Sequence, residues 1–209
     1  MLVKTRTVAV AGVVGFWLTS AGARAEESSR LRIQVVDHSA LSGAALIEAQ
    51  HIVQQAFGAS GIGTTWSEVR PGGTPPDESD VTILLLSREM TARHTADGGV
   101  PGSALASAVP RPGMRAWIYS DRVVDQAGLL GCSVGALLGQ VISHEIGHVI
   151  AGLPHSSRGM MRGSVRRPID EVVYGFTASE AALLRSALVE ADFGSRRQPQ
   201  ITQSADRTR

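Results

Sequence analysis

The chain has only one cysteine, Cys132, among its 209 residues. A chain with one cysteine cannot form an internal disulfide, so its fold depends on the hydrophobic core. Free cysteine is among the most often buried residue types, and we therefore predict that Cys132 is a small buried apolar residue. The alternative is a thiol that forms an intermolecular bond.

The chain also lacks a large excess of charge of either sign. It has 20 lysines and arginines against 19 aspartates and glutamates, a formal net charge of +1 with neutral histidines. Lys4, Arg6 and Arg24 lie within the first 25 residues; without them 17 basic residues face 19 acidic ones, and the formal charge is −2. This balance argues against a nucleic-acid partner and against binding to an anionic membrane surface.

The apolar run near the N-terminus is too short to span a bilayer. It covers residues 8–18, which is 11 residues, whereas a transmembrane helix needs about 20. Lys4 and Arg6 precede the run and Ala23-Arg24-Ala25 follows it, the pattern of a cleavable signal peptide over residues 1–25. We predict an exported protein, periplasmic or extracellular, with no stable membrane association after cleavage. The alternative, an uncleaved signal anchor, would also leave the domain outside the membrane.

Cleavage after Ala25 would leave 184 residues, enough for one domain with its own hydrophobic core. We place this domain at residues 26–194 and expect it to be a monomer. Residues 195–209 are polar and have no periodicity, so we predict that they form a disordered tail.

The order of strand-like and helix-like segments predicts an α/β fold. A helix with an apolar face from Leu46 to Ala56 follows the first strand. A capping box at residues 177–180 begins the last helix, which we expect to end at Gly194. The predicted strands cover residues 31–36, 64–66, 81–86, 104–109 and 116–119.

The last two strands are separated by Pro-Arg-Pro-Gly at residues 110–113 and predict a hairpin. One of them could form an exposed edge of the sheet, to which an extended peptide can add as a further strand. The equally good alternative is an edge that prolines merely protect. Residues 91–102 predict a loop, and we interpret His94 there, like His38 and His51, as an ordinary position rather than a ligand.

The segment that organises the site begins with His144-Glu145-Ile146-Gly147-His148. On a helix this spacing puts His144 and His148 on one face, one turn apart, where two imidazoles can bind one zinc ion. Gly152 and Pro154 then predict the end of the helix. The chain should turn there and can bring His155 back toward the same metal.

A catalytic zinc has three protein ligands and an open position for water. With His144, His148 and His155 as ligands, the metal would lower the pKa of its water to about 7. Glu145, which is not a ligand, would act as the general base and then pass the proton to the leaving amine. The predicted reaction is zinc-dependent hydrolysis of a peptide bond in a peptide or protein substrate.

The stretch H-E-I-G-H-V-I-A-G-L-P-H-S followed by G-M-M resembles the metzincin zinc endopeptidases. The resemblance implies a zincin-like fold: a mixed twisted sheet with an N-terminal helix packed on it, an active-site helix, a methionine turn and a C-terminal helix. It also implies that His144, His148 and His155 bind Zn²⁺, that Glu145 is the general base and that Met161 is the turn methionine, with Met160 as the alternative.

Two features depart from the metzincin pattern. Gly152 lies four residues after His148 rather than three, which rotates the helix end by about 100°, and the gap from His155 to the methionine is short. This variant, with H-S-x-x-G-x-M after the helix, is similar to a set of small exported bacterial zincin-like proteins.

Two other interpretations stay open at the level of sequence. Glu171 could replace His155 as the third ligand, as in zincins that use a downstream glutamate. Alternatively, the protein could be an exported, non-catalytic zinc-binding or interaction module, which would not need Glu145 beside the ligands. A closed structural site would favour a fourth protein ligand near the motif.

Overall fold

The computed structural model describes residues 29–39, 41–69, 79–96, 99–110, 114–164 and 175–196. The predicted signal peptide, Glu171 and residues 197–209 lie outside the described residues. The helices are α1 (Gly43–Gly58), α2 (Arg88–Ala96), α3 (Ser120–Leu130), α4 (Val134–Ala151) and α5 (Ala178–Arg196). The strands are β1 (Arg30–Asp37), β2 (Gly63–Val69), β3 (Val81–Leu86), β4 (Ala106–Val109) and β5 (Arg115–Tyr119).

The strands form one mixed sheet in the order β2-β1-β3-β5-β4. Strand β1 pairs in parallel with β2 and β3, and β3 pairs in parallel with β5. Strand β4 pairs antiparallel with β5, which confirms the predicted hairpin. The predicted α/β fold with a mixed sheet is therefore confirmed, and β2 and β4 are its two edge strands.

The hydrophobic core lies between the sheet and the layer formed by α1 and α4. Strand β3 buries Val81, Ile83 and Leu85 in this core, whereas Thr82 and Leu84 on its other face are half-buried. Helix α1 packs across α4. Core residues with less than 2% exposure include Leu31, Ile33, Val53, Phe57, Ile83, Leu85, Leu138 and Ile142.

Helix α4 is the centre of this core. By length and mean hydropathy it is the one helix among the described residues that could cross a bilayer. However, 72% of its 18-residue stretch is buried inside the domain. Charged side chains are rare on it because it is surrounded by protein on most sides. The motif from His144 to His148 therefore lies on a helix whose position is fixed by packing.

Residues 91–96 are helical, so the prediction of a loop across residues 91–102 was wrong. Helix α2 begins after Ser87, whose hydroxyl accepts a hydrogen bond from the Met90 N–H at 3.3 Å. Glu89 in its first turn and Arg93 in its last complement the helix dipole. Among its residues only Thr91 is buried. The helix therefore lacks the periodic apolar face by which other helices were predicted.

Three further details differ from the prediction or refine it. Helix α5 ends at Arg196, two residues beyond the expected end at Gly194. Helix α3 was not predicted. Cys132 is half-buried and packs against the hydrophobic core rather than lying fully within it.

We expect Gly139→Ala to destabilise the fold by about 1–3 kcal/mol, the usual effect of overpacking a core. A Cβ atom at this position would lie 2.6 Å from the Ile52 Cβ and 2.8 Å from the Ala49 carbonyl oxygen, so α1 and α4 would have to separate. The matched control is Gly128→Ala on α3, where no atom lies within 4 Å. Urea unfolding should show the control unchanged or slightly more stable, and equal stability of both variants would contradict the prediction.

Candidate metal centre

Helix α4 begins at a side-chain cap and carries both histidines of the motif. Ser133 is the N-cap residue, and its hydroxyl accepts a hydrogen bond from the Ala136 N–H at 3.1 Å. The same hydroxyl donates to Glu48 of α1. These bonds and the packing of α1 fix the position of α4, so His144 and His148 share one face at the predicted spacing.

The helix ends at Gly152, as predicted, and the chain reverses there. Gly152 has φ +59°, a left-handed conformation that glycine adopts without the strain of a Cβ atom. The N–H groups of Gly152 and Leu153 donate to the carbonyl groups of His148 and Gly147. Compared with the metzincin pattern, this chain has one extra residue before Gly152, and that residue belongs to α4. The tight turn still brings the chain back across the motif.

The turn places His155 beside the other two histidines. One ligand nitrogen from each of His144, His148 and His155 can be chosen so that all three lie within 4.8 Å of one another. The ring centroids of His155 lie 5.1 Å from His144 and 4.9 Å from His148. Two of the histidines are half-buried and His155 is exposed, so the group opens toward solvent on one side.

Backbone carbonyls set the tautomers of the two helix histidines. The Nδ1 of His144 lies 2.9 Å from the Met160 carbonyl oxygen, and the Nδ1 of His148 contacts the Leu153 carbonyl oxygen. A carbonyl only accepts, so each Nδ1 must carry the proton and each Nε2 presents a lone pair. The two Nε2 atoms lie 3.0 Å apart. Two facing lone pairs repel unless a cation lies between them.

The donor set fits zinc. Nitrogens that share one tetrahedral zinc at about 2.0–2.1 Å lie about 3.3 Å apart, close to the 3.0 Å between the Nε2 atoms of His144 and His148. Burial lowers the pKa of His144 to about 4 and also lowers the pKa of His148. Both rings are therefore neutral at pH 7, the form that binds a metal.

Glu145 lies next to the histidines in a desolvated position. It is 8% exposed and lines the same cavity as His144 and His155. Burial raises the pKa of its carboxyl group to about 7, because the charged form loses its hydration. A carboxylate with this pKa can take and return a proton near neutral pH.

The cavity beside the histidines has a volume of about 390 Å³ and lies between α4 and the edge strand β4. Leu105 and Ala106, at the start of β4, form one wall, and Arg162 and Gly163 form another. Among the described residues no further strand pairs with the outer edge of β4. The cavity therefore opens onto backbone that can pair with an extended chain.

Met160 and Met161 lie beneath the histidines, and both are buried. A Cβ atom built on Gly147 would lie 2.5 Å from the Met161 sulfur, so this thioether packs against α4 between the two helix histidines. Met160 contributes its carbonyl oxygen to His144 instead. The short gap after His155 closes as a tight loop, in which the Ser156 N–H donates to the Met161 carbonyl at 2.7 Å.

The other histidines lie elsewhere, as their interpretation as ordinary positions implied. His51 is on the exposed face of α1, and His38 follows β1. His94 stacks on Trp117 at 4.9 Å between ring centroids.

The structure also adds groups that the sequence argument did not name. The carbonyl groups of Leu153 and Met160 have no sequence signal, whereas Gln140 could have been found from its position one turn before His144.

In the metal-free protein we expect Glu145→Gln to become increasingly stabilising as the pH rises. The pKa of Glu145 is raised from 4.5 in the unfolded reference to about 7 in the folded protein. The folded protein thus keeps a proton that the unfolded chain loses between these values, and wild-type stability falls as pH rises through the window. The expected change is about 3 kcal/mol.

Urea unfolding of chelator-treated protein at pH 4 and pH 8 measures this effect. The free energy of unfolding of Glu145→Gln, minus that of the wild type, should be about 3 kcal/mol larger at pH 8. Both proteins share the same histidines, so the subtraction largely removes their titration. The exposed Glu190→Gln on α5 serves as control, and an unchanged difference between the two pH values would refute the prediction.

Comparison with known proteins supports the fold. No protein-family model and no curated protein matches the chain. The structure is similar to the crystal structure of archaemetzincin from Methanopyrus kandleri, with a TM-score of 0.53, 16% sequence identity, and coverage of 79% of this chain and 99% of the other. The solution structure of TM1509 from Thermotoga maritima aligns with a TM-score of 0.37 and 13% identity, over 85% of this chain and 99% of that one. The first likeness shows that the chain has a fold similar to that of archaemetzincin.

Proposed function

We propose that this protein is a zinc-dependent endopeptidase. The observation that carries the proposal is the group of three histidines, two of which turn unprotonated nitrogens toward each other at 3.0 Å beside the buried Glu145. The fold likeness to an archaemetzincin, a metzincin by its name, supports the same conclusion. His144, His148 and His155 would hold the metal, and Met161 would be the methionine of the turn beneath it.

Bound zinc would supply Lewis-acid chemistry, lowering the pKa of water and polarising a substrate carbonyl. The protein residues have separate tasks. The carbonyls of Met160 and Leu153 hold the two helix imidazoles in the orientation that leaves Nε2 free. Glu145 accepts the proton of the attacking water and delivers it to the leaving amine. Burial raises the pKa of this carboxyl group, which favours uptake of a proton from water.

The proposed substrate is an extended stretch of peptide that adds to the free edge of β4. Residues at the start of this strand form the wall of the cavity that holds Glu145. Main-chain hydrogen bonds to an edge strand bind peptides of many sequences, while pockets for the side chains confer preference. The geometry therefore suits an endopeptidase better than an enzyme that needs a chain terminus.

We further propose that the enzyme is exported as a monomer after cleavage following Ala25. The charged start, the short apolar run and Ala23-Arg24-Ala25 support this. N-terminal sequencing of the protein recovered from outside the cytoplasm should begin at Glu26. A chain that keeps residues 1–25 would contradict cleavage.

The experiment that tests the function joins metal analysis with proteolysis. Purified protein should contain one equivalent of zinc and cleave an unstructured protein such as casein. A chelator should stop cleavage, and added zinc should restore it. Stoichiometric zinc without cleavage of casein or of a peptide library would favour the non-catalytic module, and absence of zinc would overturn the proposal.

A further inference from the structure

Gln140 has a buried polar atom that the proposed mechanism does not use. It lies one helical turn before His144 on α4 and lines the same cavity. The residue is 8% exposed, and its Oε1 has no hydrogen-bond partner among the described residues. A buried amide oxygen without a partner is unfavourable, so its presence in the wall of a cleft indicates a ligand that pairs with it.

The other groups in the cavity narrow the chemistry of that ligand. Gln126 of α3 also lines the cavity and offers a second carboxamide, while Arg162 contributes a cation. The positive charge of Arg162, together with a metal at the histidines, disfavours a lysine or arginine side chain there. A carboxylate only accepts hydrogen bonds, so it would leave the Oε1 of Gln140 without a donor.

A carboxamide supplies the donor that the Oε1 of Gln140 lacks. It donates and accepts at the same time, so it can pair with the Gln140 amide in either orientation of that amide. An aliphatic side chain of the same size would fill the space but leave Gln140 unpaired, and a site of this kind rejects such an analogue more strongly than it rejects a change of size. The volume of about 390 Å³ admits a side chain together with its backbone.

We propose that Gln140 determines specificity by recognising an asparagine or glutamine side chain next to the scissile bond of the substrate. The inference rests on the proposed endopeptidase function. Gln140 would contact the substrate side chain directly, whereas the histidines and Glu145 act at the reacting carbonyl. It therefore affects which peptides bind more than it affects the chemistry.

The test uses the zinc-loaded full chain and matched peptides. The peptides contain a casein site that the wild type cleaves. At the position on each side of the scissile bond, one matched pair carries Gln or Met and a second pair carries Asn or Leu. The wild type should show a kcat/KM about 10- to 100-fold higher for the carboxamide member at one of these positions. Gln140→Met should bring this ratio close to one. The control Gln54→Met, on the exposed face of α1, should keep the wild-type ratio.

Peptide binding provides a readout independent of turnover. Zinc-loaded Glu145→Gln should bind the carboxamide peptide more tightly than its aliphatic partner, and adding Gln140→Met should remove the difference. Thermal unfolding should find Gln140→Met no less stable than the wild type, because the substitution removes an unpaired polar atom. Equal preference in the wild type and Gln140→Met, in cleavage and in binding, would overturn the inference. If the wild type cleaves nothing, the proposed function fails, and the binding comparison is made with unselected casein peptides that carry Gln or Met at one position. A preference for the carboxamide that Gln140→Met removes would still assign its recognition to Gln140, and no such preference would overturn the inference.

Discussion

Glu145→Gln should lose hydrolytic activity by a factor of about 10³ while keeping its zinc. General acid–base catalysis by a positioned side chain contributes about 10²- to 10⁴-fold, and Gln can neither take a proton from water nor give one to the leaving amine. The substitution preserves the shape of the side chain, which matters because Glu145 is 8% exposed. Glu145 does not belong to the group of candidate metal ligands, which consists of three histidines, so metal binding should be unaffected.

The measurement pairs zinc content with kcat on a peptide that the wild type cleaves. Glu145→Ala should be equally inactive, which excludes an effect of the introduced amide. Glu190→Gln makes the same chemical change on an exposed face of α5 and should retain full activity. Substantial turnover by zinc-loaded Glu145→Gln would remove Glu145 from the role of general base and leave the histidine site without its proposed mechanism.

His155→Ala should weaken zinc binding by at least about 100-fold. Loss of a group that only orients a ligand costs about 10- to 100-fold in affinity, and loss of a ligand itself should cost more. His144 and His148 alone would leave the metal with two protein ligands instead of the three expected of a catalytic zinc. Because His155 is exposed, its removal should change the stability of the metal-free fold little.

Competition with a chromophoric chelator measures the zinc affinity of the two proteins. His51→Ala, which removes an exposed histidine from α1, should bind zinc like the wild type. An unchanged affinity in His155→Ala would assign the third ligand elsewhere. Glu171→Ala would then be the next variant to measure, because Glu171 is the alternative that the sequence offers.

The local pattern of the sequence predicts a large part of this fold. The alternation in β1, the apolar run of β3 and the capping box of α5 each depend on neighbouring residues alone, and each lies in the predicted element. Helix α2 escaped prediction because its stability comes from a cap and from charged ends rather than from a buried face. The burial of Cys132 was predicted from how often cysteine is buried in general. Such statistics do not say how closely the core approaches one position.

The candidate site divides in the same way. The four-residue spacing of His144 and His148 determines by itself that both rings share a face, because an α-helix has about 3.6 residues per turn. The sequence also indicates that the helix ends at Gly152, since few other residues adopt the left-handed turn. It cannot determine where His155 points, because its direction depends on hydrogen bonds from Leu153 and Ser156 to residues that precede and follow them.

Only the tertiary structure decided which groups surround the histidines. The carbonyl oxygens that set the ring tautomers belong to the backbone, and every residue has one, so no sequence pattern reveals them. The desolvation of Glu145 and the unpaired amide of Gln140 likewise arise from the packing of α4 against distant elements. The sequence determined the types of the candidate ligands and the spacing of two of them on the helix, because these are local properties. Burial, tautomer and access to the β4 edge depend on contacts between residues far apart in the chain.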